Sequence, residues 1–179
     1  QMAVTVTEGR SDTSGTFERC FPHPPVIPSS YAQRAEAFRC TFDVGTAGSF
    51  IEAGLAAAKN ALLKAQSDAP GPNRGFLRED ADLAVVIMSD EDDGSIEPIR
   101  LFREFFDTVK GPGREDQVKV HGIVGPIDGS CRNEMGFFRA QPGFAYNAVV
   151  EHTGGTLFNI CLDDWTPVFD QLGLDTFQP

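Results

Sequence analysis

The sequence is short of positive charge. Fifteen Lys and Arg stand against 26 Asp and Glu, a net charge of −11. Nucleic acids and anionic membrane surfaces are gripped by basic patches, so neither is expected as a partner. No apolar run approaches the ~20 residues that a membrane-spanning helix needs. Histidine is scarce, with only His23, His121 and His152. They are scattered and no Cys-x-x-Cys occurs, which argues against a zinc centre. G-x-S-x-G and a phosphate-binding glycine loop are both missing, and no histidine or nucleophile has a motif around it, so an enzyme is not expected. A secretory signal is also lacking. The chain opens at Gln1-Met2 and runs straight into a strand-like segment, so it reads as a piece of a longer precursor with its targeting signal upstream.

What is present suits a folded domain. Hydrophobic residues make up 41% of 179 positions, enough for a real core. Four cysteines, Cys20, Cys40, Cys131 and Cys161, stand at wide spacing. An even count of this kind suggests two disulfides and an oxidising compartment, with three pairings open. Cys20 and Cys40 bracket a proline cluster, FPHPPVIPSS, which makes them a natural staple for an irregular excursion over residues 9–41.

Residues 3–7, AVTVT, alternate like a strand. Ser49 and Glu52 form a capping-box pattern, S-F-I-E, and Phe50, Ile51, Leu55, Ala58, Leu62 and Leu63 recur at helical spacing. Residues 84–88 are a continuous apolar run, expected to be a strand covered on both faces. A second helix is expected over 96–109, a strand over 118–124 and a third helix over 143–152, ended by Gly154 and Gly155. A short strand over 156–160 and a closing helix over 165–172, capped by Asp163-Asp164, complete the chain. Alternation of this kind implies an α/β fold: a three-layer, mostly parallel, doubly wound sheet flanked by helices. Ligands of such sheets sit at the carboxyl ends of the strands.

One stretch at such an end stands out, MSDEDDGS, residues 88–95, where four carboxylates occupy positions 90–93. Hard oxygens crowded together can hold a divalent cation. Solvation, with help to the start of the following helix, is the ordinary expectation for Glu91, Asp92 and Asp93.

Four stretches, GTAGSFIEAGLAAAKNAL, LAVVIMSDEDDGS, VKVHGIVGP and HTGGTLFNICLDDW, occur in this order. Together they resemble the second half of a von Willebrand factor type A domain, most closely the bacterial cell-envelope versions with paired cysteines. The resemblance spans roughly residues 1–173. It implies a single domain over 1–179, incomplete at its N-terminal side, that serves adhesion or protein–protein contact at a cell surface or in the periplasm, with any anchor upstream. It also implies a cation, Mg²⁺ with Ca²⁺ or Mn²⁺ as substitutes, held by three loops at the carboxyl edge, to which a protein partner donates a carboxylate. In this sequence Asp90 matches the third-loop ligand and Ser49 the second-loop hydroxyl, with Thr46 as its substitute. The first-loop motif, D-x-S-x-S after the central strand, has only a displaced counterpart in residues 12–16, DTSGT. AVTVT then matches the family's second strand. The central strand is expected from an upstream segment or another chain. In the family's strand order, 3-2-1-4-5-6, the strands before Cys131 and Cys161 are neighbours, which implies a Cys131–Cys161 bridge and leaves Cys20–Cys40. The alternatives are a metal-free structural subunit of a surface assembly and, more remotely, a metal-dependent hydrolase using paired carboxylates.

Overall fold

The computed structural model describes residues 1–8, 14–45, 51–137 and 139–177, the last four of these by backbone alone. The chain divides into two compact units, Gln1–Asp80 and Ala81–Pro179.

The first unit is built on two helices, α1 (Arg34–Phe42) and α2 (Gly54–Gln66). In α2 the recurring small and apolar residues form one buried stripe, Leu55, Ala57, Ala58, Ala61, Leu62 and Ala65, while Leu63 is exposed. The capping-box expectation differs from what is found. Ser49 lies outside the described residues, Glu52 bridges to Glu8, and the helix begins only at Gly54 after Ala53. The bridge takes the backbone of Glu52 out of the helix, and Ala53 donates its N–H to the Thr7 carbonyl.

The alanine stripe lets a loop approach the helix closely. At Gly15 (φ +70°) a Cβ would stand 2.3 Å from the Ala61 backbone nitrogen, so both the left-handed conformation and the lack of a side chain are needed there. Asn73 locks this contact from beneath. Its Oδ1 accepts from Phe17 N at 3.0 Å, and its Nδ2 donates to the carbonyls of Gly15 and Ala61 at 2.7 and 3.0 Å.

Residues 3–7 join no sheet among the described residues. Their backbone is held instead by isolated bridges at Met2–Ile27 and Glu8–Glu52 and by Glu18 N donating to Val4 O. Alternation gives a segment two faces, but a ladder also needs a partner strand, and here the partners are loops. Helix α1 lies inside the stretch expected to be irregular. It buries only Ala37 and Thr41 and has no side-chain cap, so it carries no periodic signal. The Cys20–Cys40 disulfide ties it back to the loop (Cα–Cα 5.8 Å).

The second unit is α/β. Its strands β1 (Leu83–Ser89), β2 (Val118–Val124) and β3 (Leu157–Asn159) form a small open parallel sheet in that order. β1 pairs with β2 from Leu83↔Val118 to Ser89↔Val124, and β2 pairs with β3 from Gly122↔Leu157 to Val124↔Asn159. β2 is the central strand and almost wholly buried, as a strand flanked on both edges must be. β1 is less covered than its apolar run suggested, with Val86 44% exposed. Among the described residues no strand pairs with its far edge.

Between the strands run α3 (Ile99–Thr108) and α4 (Phe144–Thr153), and α5 (Thr166–Phe177) closes the chain. α3 starts three residues later than its apolar pattern suggests because Pro98 holds the residue before it out of the helical region. It buries Phe102 and Phe106 and leaves Ile96 exposed outside the helix. Arg103 fastens α3 to α4 with two hydrogen bonds to the Ala148 carbonyl, at 3.1 and 2.8 Å. α4 lies against the face of β2 that carries Gly122 and Val124. It ends at Gly154, in the left-handed conformation, and the next residue must also be glycine, because a Cβ on Gly155 would sit 1.9 Å from the Val120 carbonyl oxygen.

Candidate carboxylate rim

The carboxyl ends of the three strands are laced together by backbone hydrogen bonds. Asp90 O, just beyond β1, accepts from Gln141 N at 2.7 Å. Beyond β2, Gly125 pairs with Pro142 and its carbonyl accepts from Gly143 N, while Ile160 N donates to Val124 O. The rim is therefore a defined surface, and residues 89–95 form its acidic stretch.

The carboxylates in that stretch have different tasks. Ser89, almost fully buried, shapes the turn. Its hydroxyl donates to Glu91 O at 2.8 Å and accepts from Glu91 N at 3.2 Å. Asp92 turns inward, where its Oδ1 accepts from Asp93 N and, across the fold, from Ala145 N at 3.0 Å. Ala145 lies in the first turn of α4, whose N-cap residue is Gly143. A glycine has no side chain to satisfy those first N–H groups, so Asp92 supplies the oxygen from another loop and places a negative charge at the positive end of the helix. Asp93 Oδ2 accepts from Ser95 N at 3.3 Å. Asp90 differs: its side chain is exposed and accepts no hydrogen bond among the described residues.

Two further carboxylates at this end serve loops. Asp128 is held below its ordinary pKa by the side-chain and backbone hydrogen bonds of Ser130, and Asp164 by the backbone N–H and then the hydroxyl of Thr166, at the start of α5. In both cases the ionised form is the one the fold favours. Their contribution is therefore complete above the unfolded carboxyl pKa and fades as pH falls through the lowered folded value.

Of the three residues matched to cation ligands, Asp90 stands at the rim, while Ser49 and Thr46 lie outside the described residues. Among the described residues no three His, Cys, Asp or Glu side chains converge as a metal-holding group.

The displaced D-x-S-x-T motif has another use. Asp12 and Thr13 lie outside the described residues, but Ser14 Oγ accepts from Asn60 Nδ2 at 3.0 Å. The Lys64 ammonium donates to Ser14 O and Thr16 Oγ1, both at 2.8 Å. A lysine charge seated on these oxygens repels a divalent cation, so they serve the packing of the loop on α2.

The cysteines pair as Cys20–Cys40 and Cys131–Cys161, with Cα atoms 5.8 and 6.0 Å apart. Two disulfides fit an oxidising compartment. No helix among the described residues is long and apolar enough to cross a membrane.

Sequence reasoning missed the role of Asp92. The available signal was a helix opening on Gly143 with no N-cap side chain of its own, which needs an acceptor from elsewhere. Comparison with known proteins finds no family model, no curated protein and no solved structure that matches this chain.

Proposed function

We propose that this chain is a protein-contact or adhesion domain of the von Willebrand A type, working in the bacterial envelope or at the cell surface. Its rim at the carboxyl edge of the sheet meets a partner through a divalent cation, Mg²⁺ in the first instance. The observation that carries this reading is the state of Asp90. Within residues 89–95 it is the carboxylate left exposed and without a hydrogen-bond donor among the described residues, while Asp92 and Asp93 are committed to backbone N–H groups. The carboxyl end of a parallel strand is where such sheets take ligands. A bound hard cation retains water that a partner's carboxylate can replace.

Two features support the family reading. The strands follow one another in space in chain order, as the last three strands of the 3-2-1-4-5-6 arrangement would. The far edge of β1, which no described strand covers, is where the central strand of that arrangement would lie. A three-layer, doubly wound sheet completed by an upstream segment or another chain is part of this proposal.

The test is titration of EDTA-stripped protein with Mg²⁺ and Mn²⁺ by calorimetry, together with paramagnetic broadening of amide signals by Mn²⁺. Heat of binding and broadening centred on residues 89–93, both lost in Asp90→Ala, are the expected result. Broadening spread evenly over the acidic surface would defeat the reading. It would favour the metal-free structural subunit, for which the use of Asp92 as a helix cap already speaks.

A further inference from the structure

The two disulfides sit in different surroundings. Cys131 is 4% exposed and Cys161 half-buried, and the backbone around that bridge is held independently of it. Arg139 N donates to Cys131 O at 3.0 Å, Cys161 N donates to Asn159 Oδ1 at 2.8 Å, and Ile160 N donates to Val124 O at 3.0 Å. If this bond opened, its two sulfurs would stay near each other and close again at high effective concentration. In the other bridge Cys20 is half-buried and Cys40 exposed. Exposed disulfides are the ones that thiols reduce most readily.

What the exposed bridge holds is equally distinct. α1 has nine residues, fewer than the ~12–15 at which an isolated helix reaches even marginal stability in water. Among the described residues its hydrogen bonds are local. Arg34 N donates to Tyr31 O, Ala37 N to Gln33 O and Thr41 Oγ1 to Ala37 O, and Gln33 Nε2 donates to Glu36. The stacking of Phe38 on Phe42 is internal to the helix. Only Ala37 and Thr41 are buried. Among the described residues, the bond to Cys20 is thus the one tie other than packing that joins α1 to anything outside residues 31–44.

The chain before α1 is secured without that bond. Ile27 is fully buried and exchanges two backbone hydrogen bonds with Met2, at 2.9 and 2.8 Å. Tyr31 is held at its hydroxyl by the His23 ring, at 3.1 Å. Residues 32–43 therefore leave a fixed root and are latched at Cys40.

We propose that Cys20–Cys40 is a redox latch: a dithiol reductant opens it in the folded chain, and α1 then leaves its docked position while Cys131–Cys161 stays closed. One thiolate of the reductant attacks Cys40 Sγ, on the exposed side of the bridge. The Cys20–Cys40 bond breaks, and Cys20 departs as a thiolate that takes up a proton. The second thiolate of the reductant attacks the reductant sulfur of the mixed disulfide. That closes a cyclic disulfide and releases Cys40, which is protonated in turn. Two electrons and two protons pass to the protein, and the dithiol is oxidised to a disulfide. Once released, α1 is too short to keep its own helix. A disulfide oxidant reverses the sequence. The Asp90 rim belongs to the other compact unit, so the latch stands or falls separately from the cation reading.

Dithiothreitol, added in rising concentration to the native 179-residue chain, tests this. Free thiols are trapped with N-ethylmaleimide and located by peptide mass spectrometry, and hydrogen exchange is measured on the same samples. Cys20 and Cys40 should be trapped at least about tenfold faster than Cys131 and Cys161, and the amides of α1 should then exchange at least about tenfold faster while those of β2 keep their protection. Transfer to oxidised glutathione should restore both the bridge and the slow exchange of α1. Reduction of the two bridges at one rate, or of Cys131–Cys161 first, overturns the proposal. So does a Cys20–Cys40 bridge that resists dithiothreitol until β2 also loses protection. Unchanged exchange over α1 after the bridge has opened, or a reoxidised chain in which α1 stays unprotected, overturns it as well.

Discussion

Asn73 has a larger part in the first unit than its position in a proline- and glycine-rich stretch suggests. It is 2% exposed and makes three hydrogen bonds, to Phe17 N, Gly15 O and Ala61 O. One amide therefore ties the loop at Gly15 and Phe17 to the backbone of α2. Each such bond contributes about 1 kcal/mol net, and a buried group left unpaired costs more. Asn73→Ala should destabilise the chain by about 2–4 kcal/mol in urea unfolding followed by circular dichroism. Asn73→Asp should be at least as damaging although it is nearly isosteric, because a carboxylate would face the carbonyl oxygens of Gly15 and Ala61 where the amide now donates. Equal stability of Asn73→Asp and the parent would show that the amide donors carry no weight.

At the scale of elements, what the pattern of residues discloses depends on where an element's stability originates. β2 falls where its apolar run places it, because a strand between two others buries nearly every side chain and so writes a continuous apolar segment. α4 ends at Gly154 as expected, since its C-terminal glycine is a local necessity. α1 left no trace in the pattern because only Ala37 and Thr41 are buried and its restraint is a cross-link to a distant cysteine. The start of α2 was displaced because Glu52, locally suited to a capping box, is drawn into a bridge with Glu8. Asp90 was legible as a rim residue from its place after an apolar strand, whereas the division of labour among its neighbours was not, because Asp92 meets Ala145 only once the sheet has formed. That cap is measurable. Asp92→Ala should cost about 1 kcal/mol. Asp92→Asn should retain most of the stability, because the amide oxygen can still accept from Ala145 N. Faster amide hydrogen exchange across the first turn of α4 in the alanine variant, and near-parental exchange in the asparagine variant, are the expected pair of results. Unchanged exchange in both would remove Asp92 from the helix.

For the whole molecule, each compact unit carries its own covalent staple: Cys20–Cys40 belongs to Gln1–Asp80 and Cys131–Cys161 to Ala81–Pro179. The first restrains a segment with few buried side chains and a helix that lacks a cap. The second spans residues that already have a parallel sheet and packed helices on one side of them. Cross-links separated by 20 and 30 residues each remove about 3 kcal/mol of chain entropy from the unfolded state. The consequences should be local as long as the units open separately. Replacing Cys20 and Cys40 together by serine should accelerate hydrogen exchange over α1 and the Asn73 clasp and leave the amides of β2 as slow as in the parent. Replacing Cys131 and Cys161 should loosen the loop of residues 125–143 and β3 while α2 keeps its protection. Exchange that rises evenly across both units after either replacement would mean that the chain unfolds as one cooperative body, whatever its division into compact parts.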